Sequence, residues 1–127
     1  MDADSFSRIV VDECIRIHRE LGPGLLESVY ETVLAGALER RGLQVDRQLP
    51  VDIHYDGLSF SSAFRVDLMV GKCLILEIKS VKRLANVHAK QLLTYLRLTD
   101  LSVGLLLNFS GETMKEGIRR VVNNHPR

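Results

Sequence analysis

Apolar positions near the start of the chain repeat with a helical period. Phe6, Ile9, Val10, Cys14, Ile17 and Leu21 share one helical face, which predicts a helix over residues 5–20. Gly22 suits the position just beyond a helix end, and Pro23 cannot continue the helix. A second helix is expected from about Leu25 to Arg41, closed by Gly42. Its apolar arc takes in Leu25, Leu26, Val29, Tyr30, Val33, Leu34, Ala37 and Leu38. On that wheel Glu27 projects inside the arc, whereas Glu31 and Glu39 fall outside it.

The period then changes. Val45, Val51, Ile53 and Tyr55 read as a strand, with Asp56-Gly57 as a hairpin turn and Pro50 marking an edge strand or a bulge. Phe64, Val66, Leu68 and Val70 alternate with Arg65, Asp67 and Met69, giving a strand with one apolar face. In "CLILEIK", Leu74, Leu76 and Ile78 form one face, and Cys73, Ile75, Glu77 and Lys79 the other. Both faces begin apolar, as in a central strand. Residues 86–99 predict a helix, "VGLLLNF" a short buried strand, and "GETMKEGIRRVV" a terminal helix. The order is α-α-β-β-β-α-β-α. A strand, a crossover helix and a further strand imply a parallel pair within an otherwise antiparallel sheet. The expected fold class is α/β, a mixed central β-sheet flanked by helices on both faces.

With 127 residues the chain fits one domain, taken as residues 1–127. Cys14 and Cys73 match no metal-binding or redox spacing and read as reduced thiols. The acidic, polar start "MDADSFSR" has no apolar core of a signal peptide, and no run approaches the length of a membrane span. A cytoplasmic, soluble protein without membrane contact is expected. A net charge of +1 argues against a non-specific nucleic-acid coat protein. It leaves room for local basic patches at Arg40-Arg41, Lys82-Arg83 and Arg119-Arg120.

The two apolar strands around residue 71 nevertheless carry Asp67, Glu77 and Lys79. Burying a charge is costly unless it is paired or bound to a metal. Glu77 and Lys79, two apart on a strand, share a face. A two-residue loop at Gly71-Lys72 would set Asp67 opposite Leu76. A three-residue loop, Gly71-Lys72-Cys73, or a bulge sets Asp67 opposite Glu77 on the same face. The second arrangement is adopted here, because two facing carboxylates make sense as a site for a hard divalent cation. An internal salt bridge to Lys79 is the structural alternative. Glu27, facing the sheet, is a third carboxylate within reach; as a first-turn acid it would equally suit the helix dipole. Gln91 and Tyr95 lie four apart on one helix face, with His88 a turn earlier, where a capping or surface polar row would look the same.

These residues carry a family resemblance. "GLLESVY" resembles the signature of the GxxExxY proteins, with Gly24, Glu27 and Tyr30 in the named positions. Asp67, then Glu77-Ile78-Lys79, then Gln91 with Tyr95, resembles the active-site series of the PD-(D/E)XK nuclease superfamily, from about Ile9 to Val122. No proline precedes Asp67, where Val66 stands. The resemblance implies a restriction-endonuclease-like core with a mixed four-stranded sheet. It implies that Asp67, Glu77 and the Ile78 carbonyl bind Mg2+ or Mn2+, with Glu27 completing the metal shell or orienting water. Lys79 would activate the attacking water or offset charge, Gln91 would position phosphate or Lys79, and Tyr30, His88 and Tyr95 are candidate substrate contacts. The implied activity is metal-dependent hydrolysis of phosphodiester bonds in DNA. A non-catalytic nucleic-acid- or protein-interaction module retaining the fold is the alternative. Whether the chain acts alone, as a homodimer or in a larger assembly stays open.

Overall fold

The computed structural model describes residues 1–124. Helix α1 (Ala3–Leu21) starts where the Asp2 carboxylate accepts the Ser5 N–H at 2.9 Å, satisfying a donor that has no partner within the helix. It ends at Gly22, φ 77°. Helix α2 (Glu27–Arg40) begins two residues later than the pattern implies. The strands are β1 (Val45–Tyr55), β2 (Leu58–Val70), β3 (Leu74–Lys79), β4 (Val103–Asn108) and β5 (Ile118–Val122). Helix α3 (Asn86–Thr99) connects β3 to β4, and the single turn α4 (Met114–Gly117) precedes β5. All five strands form one sheet in sequential order. Only β3–β4 is parallel, as the α3 crossover requires. On one face Phe6, Val10, Ile17, Leu34 and Leu38 pack against Leu68, Leu74, Leu76 and Leu105. On the other, Leu92 and Leu96 of α3 cover Val66, Ile75 and Leu106. The mixed, helix-flanked α/β sheet is as expected, with five strands instead of four. Among the described residues no helix is long and apolar enough to cross a membrane.

The expected terminal helix is replaced by α4 and β5. The fully buried strand β4 needs partners for its backbone groups along both sides. Strand β5 supplies the second side, from Val103↔Val122 to Leu107↔Ile118. The turn into β5 is tight: a Cβ at Gly117 would stand 2.0 Å from the Asn108 carbonyl oxygen.

The β2 pattern also differs from a simple alternation. Leu68 and Val70 face α1 and α2, but Phe64 and Val66 face α3. The facing reverses across Asp67. Opposite it on β1 sits Gln48, whose φ of 49° is foreign to a regular strand. The α2 wheel is likewise rotated. Leu26 (74% exposed) and Val29 lie at the surface with Glu27, whereas Glu31 is buried. Leu25 and Leu26 lie outside the helix, so including them biased the arc toward Glu27.

Candidate metal centre

The site lies where β2 and β3 part. The turn between them holds three residues, and the register runs Val70↔Leu74, Met69↔Ile75, Leu68↔Leu76. Continued by one step, it brings Asp67 opposite Glu77, as the odd-length loop requires. Pairing stops there. The Ile78 N–H, which would otherwise meet β2 backbone, donates to Asp67 Oδ2 at 2.8 Å. The N–H and C=O of one strand residue point the same way, so the Ile78 carbonyl faces the same opening.

Glu77 is buried, 4% exposed. Its Oε1 has no hydrogen-bond partner. Burial first, then the neighbouring Asp67 carboxylate, push the Glu77 carboxyl up to about 9, with Lys79 opposing weakly. Lys79 is half-buried on the same strand face, and among the described residues it forms no ion pair within 4.0 Å. The internal salt bridge is therefore not the arrangement adopted. A buried carboxylate with an unsatisfied oxygen, beside a second carboxylate and a backbone carbonyl, is a donor set that suits a hard divalent cation. Among the described residues no three His, Cys, Asp or Glu side chains gather as a metal-binding group. The protein thus offers two carboxylates and backbone oxygen, a set magnesium commonly accepts with substrate oxygens completing its shell.

Glu27 does not join the pair directly. Its Oε2 accepts the Ser80 N–H at 3.0 Å, just beyond Lys79, and Ser80 Oγ donates to the Leu25 carbonyl at 3.2 Å. Glu27 thereby ties the start of α2 to the end of β3 and remains exposed. Tyr30 is not at the surface: it is fully buried and stacked on Phe109 with ring centroids 4.4 Å apart. Its hydroxyl donates to the Gly22 carbonyl at 2.6 Å and accepts the Leu25 N–H at 3.2 Å. The tyrosine of the "GLLESVY" segment thus clamps the loop that delivers Glu27, and a substrate has no access to it. His88 Nδ1 accepts the Ala85 N–H at 2.9 Å and caps α3. Gln91 is exposed on α3 and makes no hydrogen bond among the described residues. Tyr95, one turn on, stacks on Phe64 with centroids 4.1 Å apart. Burial first, then the charges of Glu77 and Asp67, raise its hydroxyl above the usual range.

Three contributors escape sequence reasoning. Gln48 Nε2 bridges Glu31 Oε1 at 2.7 Å and Asp67 Oδ1 at 3.3 Å. Nothing in the polar β1 pattern marks it. Glu31, read as outward-facing, is buried and also paired with Arg47 at 3.2 Å. Asn108 is buried at the end of β4 opposite Lys79. Its Oδ1 accepts the Val81 N–H at 3.0 Å and its Nδ2 donates to the Val81 carbonyl at 2.9 Å, so it holds the chain just after Lys79. The available signal was one polar residue inside an apolar run.

Similarity to known proteins bears on the fold and the family. No curated protein matches the chain. The crystal structure of SSO0001 shares the fold, with a TM-score of 0.59 at 16% identity, over 76% of this chain and 50% of that one. The chain thus spans about half the length of that protein. The family model of the PD-(D/E)XK nuclease superfamily matches residues 4–121, from the first turn of α1 into β5. The chain belongs to the PD-(D/E)XK nuclease superfamily.

Proposed function

We propose that this chain is a nuclease of the GxxExxY type that hydrolyses phosphodiester bonds of DNA with Mg2+ or Mn2+, residues 1–127 acting as one domain. The observation that carries the reading is Glu77, buried beside Asp67 with an oxygen left unsatisfied at the opening between β2 and β3. Asp67, Glu77 and the Ile78 carbonyl are the groups that would hold the ion. When bound, a divalent cation polarises a phosphate oxygen and offsets the charge that develops on it. Lys79, with no ion pair among the described residues, would orient the attacking water and lie against the negative phosphate. Glu27, from the far side of the opening, orients water and fixes Ser80. Tyr95 and Gln91 line α3 as phosphate-positioning groups.

The test is nicking of supercoiled plasmid with Mn2+, Mg2+ or EDTA by the wild type, Glu77→Gln and Lys79→Met. Cleavage is expected only with a cation. Lys79→Met should lose at least a hundredfold in rate, with its melting temperature within a few degrees of wild type, since no ion pair is broken. Wild-type-like cleavage by a folded Lys79→Met would defeat the role given to the lysine. The near-neutral charge of the whole chain favours a second reading, a non-catalytic nucleic-acid- or protein-interaction module. That reading expects no metal-dependent nicking by any of these proteins.

A further inference from the structure

We infer that Gln48 is a positioning residue that holds Asp67 in the orientation needed to receive the metal, with Glu31 and Arg47 as its buttress. The inference rests on the metal-site reading above and adds residues which that reading did not use. Asp67 stands at the point where the β2 facing reverses, so the strand does not fix its side chain by regular pleating. Its two oxygens are instead held separately. Oδ2 accepts the Ile78 N–H from β3, and Oδ1 accepts Gln48 Nε2 from β1. The Gln48 amide is fixed in turn by Glu31 Oε1 at 2.7 Å, the shorter of its two bonds. Glu31 is buried on α2, with its other oxygen on Arg47, and Arg47 also donates to Thr32 Oγ1 at 2.8 Å.

The backbone carries a cost for this placement. Gln48 is a non-glycine residue with φ 49° inside a strand, a sparsely populated conformation of a kind that clusters at functional sites. Arg47, the residue before Gln48, reaches Glu31 and Thr32 on α2, so in regular pleat Gln48 would point its side chain away from Glu31. The left-handed residue redirects it between Glu31 and Asp67. A neutral amide donor is suited to the task. It holds a carboxylate in place without cancelling the charge that attracts a cation, whereas a lysine there would compete with the ion. Groups that orient a metal-binding side chain typically change metal affinity about 10- to 100-fold.

The experiment compares Mn2+ binding to the wild type, Gln48→Leu and Gln48→Gly by titration calorimetry, with the melting temperature of each metal-free protein. Both variants remove the amide, but glycine relieves the backbone strain that leucine retains. The expected result is about tenfold weaker Mn2+ binding in both, although glycine and leucine differ in melting temperature. Wild-type affinity in either variant, or affinity that simply follows melting temperature, overturns the role of Gln48 alone. Absence of Mn2+ binding by the wild type, or binding that survives in Asp67→Ala, overturns the metal-site reading and this inference together.

Discussion

Glu77 is the residue on which the site's energetics turn. An acid that titrates near 4.5 when unfolded is pushed up to about 9 by burial and by Asp67. Between those values the folded state binds more protons than the unfolded one. Stability of the metal-free protein should therefore fall as pH rises through that window, by at most about 1.4 kcal/mol per pH unit. Glu77→Gln removes the titration. In EDTA its melting temperature should change little between pH 6 and 9 while that of the wild type declines, and an equal decline in both would show that Glu77 is not the titrating group. A divalent cation competes with the same proton, so the metal-induced rise in melting temperature should grow with pH in the wild type and vanish in Glu77→Gln.

At the level of elements, the site is a consequence of two strands that stop pairing. Pairing of β2 with β3 ends at Leu68↔Leu76, and the freed Ile78 N–H is taken over by the Asp67 side chain. On the other side of β3, Asn108 at the end of β4 anchors the chain after Lys79. Its position depends on α4, whose Gly117 packs directly on the Asn108 backbone. Gly117→Ala forces a Cβ against that carbonyl oxygen, and backbone cannot swing away as a side-chain tip can. The expected cost is about 1–3 kcal/mol, read as a lower midpoint of urea unfolding with unchanged slope. Wild-type stability of Gly117→Ala would show that the contact relaxes freely. The apolar spacing of the "GETMKEGIRRVV" segment fits a helical period as well as the single turn and short edge strand it forms. The choice between them lies with the unpaired side of β4, which local sequence does not display.

Across the whole molecule, a near-zero net charge still leaves most cations among the described residues without an acidic partner. Arg16, Arg41, Arg47 and Arg120 are spent on ion pairs with Glu13, Glu20, Glu31 and Asp4. Lys79, Lys82 and Arg83 follow one another out of β3 and, like other basic residues such as Lys90 and Arg119, have no ion pair among the described residues. Lys82 and Arg83 are exposed and, with Asn108, Gly117 and the acidic Glu116, line an open recess of about 270 Å³. If the recess receives a nucleic-acid backbone, these two cations are its expected phosphate contacts. For the double variant Lys82→Ala/Arg83→Ala, duplex DNA binding in EDTA, followed by fluorescence anisotropy, should lose roughly 1.8 from its log–log salt slope, about 0.9 per lost phosphate contact. A double variant of the same charge change on α1, Arg8→Ala/Arg19→Ala, should leave the slope unchanged. Equal effects of the two pairs would mean that net charge, not this loop, governs binding.

Much was already legible in the order of residues. Helical and alternating periods located α1, α2, α3 and the first four strands, because burial against one sheet imposes those periods on the chain. At Gly71 two loop lengths were open to the sequence, and the chemistry of facing carboxylates selected the three-residue loop that sets Asp67 against Glu77, as the register shows. What lay beyond the local pattern depended on contacts between distant segments. The outward turn of Glu27, the burial of Glu31 and the core position of Tyr30 follow from where α2 settles on the sheet and from a loop clamped 8 residues before Tyr30. The reversal at Asp67 needs Gln48, 19 positions away. The unsatisfied oxygen of Glu77 exists only because two strands separate while the layers on either side stay closed. Periodicity reports which face of an element is apolar. It carries no information about which polar groups from other elements will meet there, and that meeting makes the site.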